Sequence, residues 1–279
     1  MSVSADTREP TVHEIPGWQV KDGRVQECSV KTVVEEPLTV EINDRQVAVL
    51  MRLPGMEKEL AIGFCITEGL IPGFDQVLGV RHCGEDNPES ERTDEPRNRV
   101  SVRVPPAIAA SMQTGDAVRL IRASCGAVQI DEGDLDLPVL PDGFAVDAAV
   151  LPALPKIMQE AQYLRHQVGG VHAVAVFDAK GEPVSVCEDI GRHNAADKVI
   201  GHCLLHDIPL RDKILLSSGR LSYEMVSKAV RAGIPVVASV SAPTSLAVRL
   251  AQRCNACLVG YLRGSRYTVY AHPERLTTP

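Results

Sequence analysis

The fold of this chain is decided by a stretch that joins a strand pattern to a helix pattern, Cys187-Glu188-Asp189-Ile190-Gly191-Arg192-His193-Asn194-Ala195-Ala196-Asp197-Lys198. Seven of its side chains are ionisable. Two apolar runs, residues 171–177 and 183–187, precede it with a turn between them and predict two strands. Apolar residues recur at helical spacing from Ala196 to Leu204, which predicts a helix that begins near Asn194 and packs against a sheet.

The start of this predicted helix has two interpretations. A helix N-terminus presents unpaired N–H groups and the positive end of the helix dipole, and Arg192 and His193 would add positive charge, so an anionic ligand such as a phosphate fits there. The other interpretation is helix capping alone, with Asn194 as the N-cap and Asp197 in the first turn. Arg192 would then only pair with Asp189. Residue chemistry leaves both interpretations open.

The composition indicates a soluble globular protein. The chain has 279 residues, of which 44% are hydrophobic and 23% charged, and we expect this length to form two domains. The 29 Lys and Arg residues against 36 Asp and Glu residues give a net charge of -7, which disfavours binding to nucleic acid.

The sequence also predicts a cytoplasmic protein that does not enter a membrane. The first ten residues lack the basic and apolar segments of a signal peptide, and no later apolar run approaches the ~20 residues that span a bilayer. The eight cysteines are spread through the chain, which in a reducing compartment favours free thiols over a disulfide framework.

Residues 1–30 are interpreted as a polar lead-in, and residues 31–135 are predicted to form a smaller α+β domain. Its first firm element is a hairpin over residues 39–53 with Asp44 in the turn, and a helix over residues 57–69 follows. Two further strands are expected, at residues 77–83 and 100–104.

One cysteine of this domain is surrounded by small residues, in the segment Arg122-Ala123-Ser124-Cys125-Gly126-Ala127-Val128. Small neighbours leave the sulfur of Cys125 reachable, and Arg122 favours its thiolate, which at a free pKa of ~8.5 is only a few per cent populated near neutral pH. A small buried hydrophobe in a loop is the alternative interpretation. Residues 131–147, rich in Asp, Gly and Pro, are typical of a linker.

Residues 147–279 are predicted to form an α/β sandwich, because strand and helix patterns alternate there. Three predicted loops, residues 188–194, 217–222 and 239–244, follow strand ends and meet at one rim of the sheet. In open α/β sheets this rim is where ligands bind.

Four separated segments carry a resemblance to a known family. They are Gly169-Gly170-Val171-His172-Ala173, residues 188–198, Ser218-Gly219-Arg220-Leu221-Ser222-Tyr223-Glu224-Met225-Val226-Ser227-Lys228-Ala229 and Ser241-Ala242-Pro243-Thr244. With the upstream Glu35-Glu36-Pro37-Leu38 and Gly63-Phe64-Cys65-Ile66-Thr67-Glu68-Gly69, they closely resemble the formate dehydrogenase accessory sulfurtransferases, the FdhD family. The likeness covers the chain from about Val33 to Leu276.

The resemblance implies a role in the maturation of formate dehydrogenase. A cytoplasmic sulfurtransferase of this family takes sulfur as a cysteine persulfide from a cysteine desulfurase and passes it to the molybdenum cofactor in its bis-guanine dinucleotide form, Mo-bis(molybdopterin guanine dinucleotide). A homodimer is usual for the family. The catalytic residue implied is Cys125, the counterpart of the first cysteine of the family's Cys-x-x-Cys. Val128 stands in place of the second, so Cys125 is expected to carry the sulfur alone.

The family's C-terminal domain is similar in fold to cytidine deaminases, but this chain lacks the deaminase zinc set at its predicted helix N-termini. Cys254 and Cys257 form a lone pair that we interpret as packing residues. His172, His193 and Cys187 have no recognised ligand spacing. We therefore expect no zinc and no other metal site.

The resemblance also implies a cofactor-binding loop near the C-terminus, formed by Tyr261, Leu262, Arg263, Gly264, Ser265 and Arg266. Its chemistry suits a guanine nucleotide, since Arg263 and Arg266 can bind phosphate oxygens and Gly264 permits close backbone approach. Tyr261 can stack on a base. The alternative interpretation is a solvated basic hairpin that closes the sheet.

Arg192, His193 and Asn194 are expected near this loop, with His193 and Asp197 as polar contacts of the cofactor pocket. Two functions remain open at this point: sulfur transfer to a bound molybdenum cofactor, and a non-enzymatic chaperone that delivers the cofactor to the apoenzyme. A persulfide on Cys125 distinguishes them.

Overall fold

The computed structural model describes residues 11–83, 98–111, 119–121 and 137–278 of the chain. The elements before residue 122 are β1 (Val12–Lys21), β2 (Arg24–Val33), β3 (Glu36–Ile42), β4 (Arg45–Arg52), α1 (Glu57–Thr67), β5 (Gly79–His82), β6 (Arg99–Arg103), α2 (Pro106–Ser111) and β7 (Arg119–Ile121). They include the hairpin, the helix and the two strands that apolar periodicity predicted in this part of the chain.

A five-stranded sheet in the order β5-β6-β3-β4-β7 forms the N-terminal domain. β3 and β4 are an antiparallel hairpin, while β6 runs parallel to β3 and β7 runs parallel to β4. Leu38, Val40 and Leu50 alternate with more exposed residues along these strands and bury their side chains against Leu60 and Phe64 of α1. Burial of this apolar surface is the main contribution to the stability of the domain.

Residues 12–33 form a hairpin that the sequence analysis did not predict, because it placed the first firm element at residue 39. β1 and β2 pair antiparallel over ten residues each. The apolar residues of these two strands are isolated and irregularly spaced among polar and charged ones such as Glu14 and Lys31. Neither strand therefore shows the strict apolar–polar alternation of a half-buried strand. No residue of these two strands is fully buried.

The elements after residue 136 are β8 (Val146–Asp147), α3 (Leu154–Glu160), α4 (Tyr163–Gln167), β9 (His172–Phe177), β10 (Pro183–Asp189), α5 (Arg192–Leu205), β11 (Ile214–Ser217), α6 (Tyr223–Arg231), β12 (Val236–Ser239), α7 (Ser245–Arg253), β13 (Cys257–Arg263), β14 (Arg266–Ala271) and β15 (Leu276–Thr277). The α/β character predicted for this part of the chain is confirmed. The more specific likeness to cytidine deaminases stays a prediction.

A six-stranded mixed sheet organises this C-terminal domain, in the order β10-β9-β11-β12-β13-β14. β11, β12 and β13 run parallel, and β9 and β14 flank them antiparallel. Alternate residues of β9 point to opposite faces: Val174 and Val176 pack toward α5, α6 and α7, whereas Ala175 and Phe177 pack toward α3. The sheet therefore has an apolar core on both faces.

Two glycines bring the two domains into close contact. A Cβ atom built on Gly63 of α1 would lie 1.9 Å from the carbonyl oxygen of Asp197 in α5, and one built on Gly201 would lie 1.9 Å from the carbonyl oxygen of Glu59. Only glycine allows the two helix backbones to approach this closely. α1 is accordingly buried along its whole length from Leu60, with one side on the N-terminal sheet and the other on α5.

The described part of the predicted linker, from residue 137 to residue 147, packs against the C-terminal part of the chain. Leu140 is buried in the C-terminal core, and its N–H donates to the carbonyl oxygen of Cys254. The guanidinium of Arg275, itself buried, donates to the carbonyl oxygens of Pro141 and Phe144. Residues 140–144 thus pack against the elements that follow residue 147, and the domain boundary at residue 147 stays a prediction.

Candidate functional site

The loops that follow β10, β11 and β12 lie along one edge of the six-stranded sheet. β11 and β12 are parallel, so Ser217 and Ser239 at their carboxyl ends are paired neighbours. β9 runs antiparallel to β11 and to β10, which brings its first residue, His172, beside Asp189 at the end of β10. The rim predicted from strand order is confirmed, and we call it the rim below.

Hydrogen bonds join the loops of the rim to one another. The hydroxyl of Ser239 donates to the carbonyl oxygen of Gly219 at 2.6 Å and accepts from the N–H of Ser241 at 2.8 Å. The N–H of Leu221 donates to the carbonyl oxygen of Ala242. Most of these donors and acceptors are backbone groups, so the loops are held in place largely independently of the outward-facing side chains.

His172 and Ser218 form a polar contact at the centre of the rim. Oγ of Ser218 accepts from the N–H of Ala173 at 2.9 Å and lies 3.3 Å from Nδ1 of His172. Burial is the main cause that lowers the pKa of His172, and the charges of Arg192 and His193 lower it further. The lowered pKa favours the neutral imidazole, and its Nδ1 is within hydrogen-bonding distance of the Ser218 hydroxyl.

Arg192 and His193, the first two residues of α5, face the start of α6. A Cβ atom on Gly219 would meet Cδ of Arg192 at 2.9 Å, so the glycine makes room for the arginine. Nε2 of His193 lies 3.0 Å from Oε2 of Glu224, and this contact is the main cause that lowers the pKa of the Glu224 carboxyl. Both predicted residues are thus at the rim.

Three polar atoms at this end of the rim are buried without a hydrogen-bond partner in the described part of the chain. They are Nε of Arg192, Oγ of Ser222, the N-cap residue of α6, and Nε2 of His193, whose 3.0 Å contact with Glu224 is close enough for an ion pair but lacks hydrogen-bond geometry. Buried polar atoms in native proteins are nearly always hydrogen-bonded, so unsatisfied ones beside a helix N-terminus fit a site that a ligand completes. This supports the anion-binding interpretation of the helix start.

The interpretation that Asn194 is the N-cap of α5 is wrong, and its contact with the ligand stays a prediction. Gly191 is the N-cap, and Asn194 is buried in the first turn. Its amide Nδ2 donates to the carbonyl oxygen of Met51 at 2.8 Å and to Oδ1 of Asp189 at 3.0 Å. Arg192 is likewise not the partner of Asp189, whose Oδ2 lies 2.8 Å from Nζ of Lys198.

Asp197 is not a polar contact of the rim either. It is buried between α1, α5 and α6, where it accepts from the hydroxyl of Thr67 at 2.7 Å and from Nζ of Lys228 at 3.0 Å. Burial raises the pKa of Asp197 despite these partners. Burial alone would lower the pKa of Lys228, but Asp197 and Glu68 outweigh it and raise the pKa above its ordinary value. This group contributes to the domain contact.

The predicted cofactor-binding loop is the exposed turn between β13 and β14. The N–H of Tyr261 donates to the carbonyl oxygen of Ser241 in the loop after β12, and Nε of Arg263 donates to that of Val240 at 3.2 Å. The guanidinium carbon of Arg263 lies 5.9 Å from the ring centre of Tyr261. Gly264 has a positive φ of 55° that favours glycine. The turn therefore lies at the β13 side of the rim, whereas Arg192 follows β10 at the other side of the sheet.

One residue of that loop cannot contact a ligand through its side chain. Leu262 is fully buried among the apolar residues on the α3 face of the sheet, because side chains alternate along β13. Its neighbours Tyr261 and Arg263 point outward and are exposed. Ser265 and Arg266 are exposed as well.

Cys125, the predicted catalytic residue, lies outside the described residues together with Arg122 and Val128. The described strand that leads toward it is β7, which pairs with β4 so that Ile121 lies opposite Leu50. The next residue of β4, Met51, accepts the hydrogen bond from Asn194. β7, the strand that precedes the cysteine segment, is thus separated from α5 by one strand, β4.

Five of the cysteines that the structure describes are buried, and they include the predicted packing residues Cys254 and Cys257. Burial raises the pKa of Cys187 to about 11 and those of Cys203 and Cys257 to about 12. These thiols are protonated at neutral pH and out of reach, so they are poor nucleophiles.

The described residues bring together no group of three or more His, Cys, Asp or Glu side chains that could hold a metal ion. Among the same residues, no helix has both the length and the apolar character needed to cross a bilayer.

Three side chains that shape the rim were not predicted from the sequence as functional residues. Ser218 and Glu224 lie in a segment that carried the family resemblance, but neither was assigned a role, and His172 was considered only as a metal ligand. Their common signal is position, since each lies at the rim end of a strand or helix: His172 begins β9, Ser218 follows β11, and Glu224 is the second residue of α6. Two of them are ionisable groups beside Arg192 and His193.

Comparison with known proteins gives a consistent result over most of the chain. The sequence model of the FdhD/NarQ family matches residues 33–277. A relative from Streptomyces avermitilis, named "Sulfur carrier protein FdhD", is 37% identical over 267 residues, which cover 92% of this chain and 93% of the relative. A relative of the same name from Sulfolobus acidocaldarius is also 37% identical and covers 92% of this chain and 96% of its own length.

The fold agrees with these matches. The crystal structure of a protein from Desulfotalea psychrophila, described as a formate dehydrogenase accessory protein, superposes with a TM-score of 0.74 at 25% sequence identity. The superposition covers 96% of this chain and 100% of that one. Since the family model spans most of the chain and the relatives align over nearly their whole length, this chain belongs to the FdhD/NarQ family.

Proposed function

We propose that this protein is a sulfurtransferase that carries sulfur as a persulfide on Cys125 and passes it to Mo-bis(molybdopterin guanine dinucleotide) bound at the rim. The observation that carries the proposal is family membership with relatives named sulfur carrier proteins. A rim with a buried, unsatisfied guanidinium nitrogen of Arg192 and a buried, unsatisfied hydroxyl of Ser222, both suited to a phosphate-bearing ligand, supports it further.

The distance along the chain is compatible with transfer from Cys125 to the rim. Cys125 follows Ile121 by four residues, so its Cα lies within about 14 Å of that of Ile121. Ile121 pairs with Leu50, and the neighbouring Met51 is bonded to Asn194 at the start of α5.

The loading step needs one nucleophile on this protein. The thiolate of Cys125 attacks the outer sulfur of a persulfide on a cysteine desulfurase, the sulfur–sulfur bond of the donor breaks, and the donor cysteine leaves as a thiolate. No net oxidation or reduction takes place. Val128 supplies no second thiol that could discharge the persulfide by forming a disulfide, so the sulfur stays until the cofactor accepts it.

The cofactor is proposed to lie along the rim with its phosphates toward Arg192 and the N-termini of α5 and α6. Charge-assisted hydrogen bonds from guanidinium groups are the strongest contacts that the rim offers to phosphate oxygens. Tyr261, Arg263 and Arg266 of the turn between β13 and β14 would contact the guanine-nucleotide end. The client enzyme is formate dehydrogenase, and the location is the cytoplasm.

We further propose that the protein acts as a homodimer, with the hairpin β1–β2 as its contact surface. Five of the nine exposed large apolar residues among those described belong to this hairpin: Ile15, Trp18, Val20, Val25 and Val30. An uncovered two-stranded hairpin is marginally stable in water, so we expect a second copy to cover it. Trp18 is the single tryptophan of the chain, so its fluorescence emission should shift to shorter wavelength as the protein concentration passes the dimerisation constant.

The proposed function is tested by the variant Cys125→Ala. After incubation with a cysteine desulfurase and cysteine, the wild-type protein should carry a persulfide detectable by mass spectrometry, and Cys125→Ala should not. The same variant should fail to activate formate dehydrogenase, whereas Cys254→Ala and Cys257→Ala should retain both properties. Full activation by Cys125→Ala would instead favour a non-enzymatic chaperone that delivers the cofactor.

A further inference from the structure

The carboxylate of Asp189 is the most completely bonded side chain at the rim. It is fully buried at the end of β10. Oδ1 accepts from the N–H of Gly191 at 3.1 Å and from Nδ2 of Asn194 at 3.0 Å. Oδ2 accepts from the N–H of Leu53 at 3.2 Å and from Nζ of Lys198 at 2.8 Å. One carboxylate thus holds groups of α5 and of the N-terminal domain at once.

The same partners are tied to the end of β4 by a second set of bonds. Nζ of Lys198 donates to the carbonyl oxygen of Leu53 at 2.8 Å, and Nδ2 of Asn194 donates to that of Met51 at 2.8 Å. Asp189, Asn194 and Lys198 are all buried. Together they fix residues 51–53 against the start of α5.

Stability alone is a weak reason for this arrangement. Removing two charges from water costs several kcal/mol per ion, and well-packed apolar residues often stabilise a core as well as a buried ion pair does. What a carboxylate with four directed contacts, one of them an ion pair, adds is geometry, because hydrogen bonds weaken when their distances and angles depart from a narrow range.

The geometry that Asp189 fixes is that of the rim. Gly191 is the N-cap of α5, and Arg192 and His193 follow it directly. The hydrogen bond from Gly191 to Asp189 therefore sets the starting point of the segment that carries both side chains.

We propose that Asp189 is a positioning residue for the cofactor, one that holds Arg192 and His193 in their binding geometry and joins the rim to β4 and the strand that precedes Cys125. This inference rests on the proposed function. It makes the anion-binding end of the rim and the end of β4 a single rigid unit.

A second buried polar group in the same domain contact provides a matched control. Thr67, Asp197 and Lys228 also join α1 to α5 and α6 through buried hydrogen bonds, one helical turn further along α5 and α6 than His193 and Glu224. Thr67→Val removes a buried hydroxyl of the domain contact without touching Asp189 or its partners.

The test measures GDP affinity by calorimetry for Asp189→Asn, Asn194→Ala and Thr67→Val, each at a temperature well below its own unfolding transition. We expect Asp189→Asn and Asn194→Ala to bind GDP about tenfold more weakly, which is within the usual range of energetic coupling between sites. Thr67→Val should lower the thermal stability and leave GDP affinity within about twofold of the wild type. Asn194→Ala, which retains the carboxylate, decides the question if Asp189→Asn does not fold.

Unchanged GDP affinity in a folded Asp189→Asn or Asn194→Ala would overturn the inference, as would an equal loss of affinity in Thr67→Val. Persulfide loading of Cys125 should be unaffected in all three variants, because loading does not use the rim. If wild-type protein neither binds GDP nor loads a persulfide, it is the proposed function that fails, and this result differs from failure of the positioning role alone.

Discussion

The two ends of the rim are built differently. At the end formed by α5 and α6, Arg192 and His193 lie between buried polar groups, and a carboxylate behind them fixes the start of the helix. At the other end, Arg263 and Arg266 stand on an exposed turn, and Arg263 has one hydrogen bond to a carbonyl oxygen. The first end presents its charges already in place, whereas the second must order its side chains when a ligand binds and loses rotamer entropy in doing so.

The largest effect on ligand binding is therefore expected at the preordered end. Arg192→Ala should weaken GDP binding roughly tenfold to a hundredfold, because a hydrogen bond to a charged group contributes about 1.5–3 kcal/mol. Calorimetry measures the change. Arg211→Ala, which removes an exposed arginine just ahead of the first residue of β11, at the edge of the sheet away from the rim, is the control and should leave affinity unchanged.

A smaller effect is expected at the exposed turn. Arg263→Ala combined with Arg266→Ala should weaken GDP binding by several-fold, since ion pairs of exposed side chains contribute about 0.2–1 kcal/mol each. Calorimetric titration with GDP measures this loss of affinity. A larger loss here than in Arg192→Ala would reverse the comparison and make the turn the principal site, and no loss at all would mean that the turn is only a solvated basic hairpin.

The smallest effect concerns the pH dependence of stability that comes from His172, at the centre of the rim. Burial lowers the pKa of His172, so as pH falls below its unfolded value of ~6.5 the unfolded chain takes up a proton before the folded protein does. The stability that neutral His172 contributes is complete above this pH and is lost as pH falls through the lower folded pKa.

Thermal unfolding at pH values on either side of ~6.5 measures this contribution. His172→Gln should lose less stability on acidification than the wild type. Burial also lowers the pKa of His202, near the other end of α5. His202→Gln should therefore remove a different part of the stability loss on acidification and leave the part due to His172 unchanged. Identical pH profiles for His172→Gln and the wild type would show that the imidazole is not held neutral.

Local sequence pattern was sufficient for most of the C-terminal fold and for the position of the rim. Strands such as β9 and β11 are short apolar runs, and helices such as α7 have a clear start, where Thr244 accepts from the N–H of Ala247. The order of these elements placed three loops at one edge. Pattern did not reveal the hairpin β1–β2, whose apolar residues are exposed and interrupted by charges.

The roles of Asn194 and Asp197 could not be predicted from their own segment. Both looked like polar groups at a helix start, but their partners are Met51 and Thr67, more than a hundred residues earlier in the chain. Local periodicity contains no information about such contacts. Leu262 is a simpler case, because alternation along a strand already indicates that it points away from its neighbours Tyr261 and Arg263.

The central claim is that sulfur carried on Cys125 is passed to a cofactor held at the rim. The most direct measurement is a single-turnover experiment in which isotopically labelled persulfide is loaded on the protein, the free donor is removed, and the molybdenum cofactor is added. We predict that the wild-type protein transfers the label to the cofactor, while Arg192→Ala loads normally and retains the label on Cys125. Loss of the label without cofactor, or equal transfer by Arg192→Ala, would contradict the account.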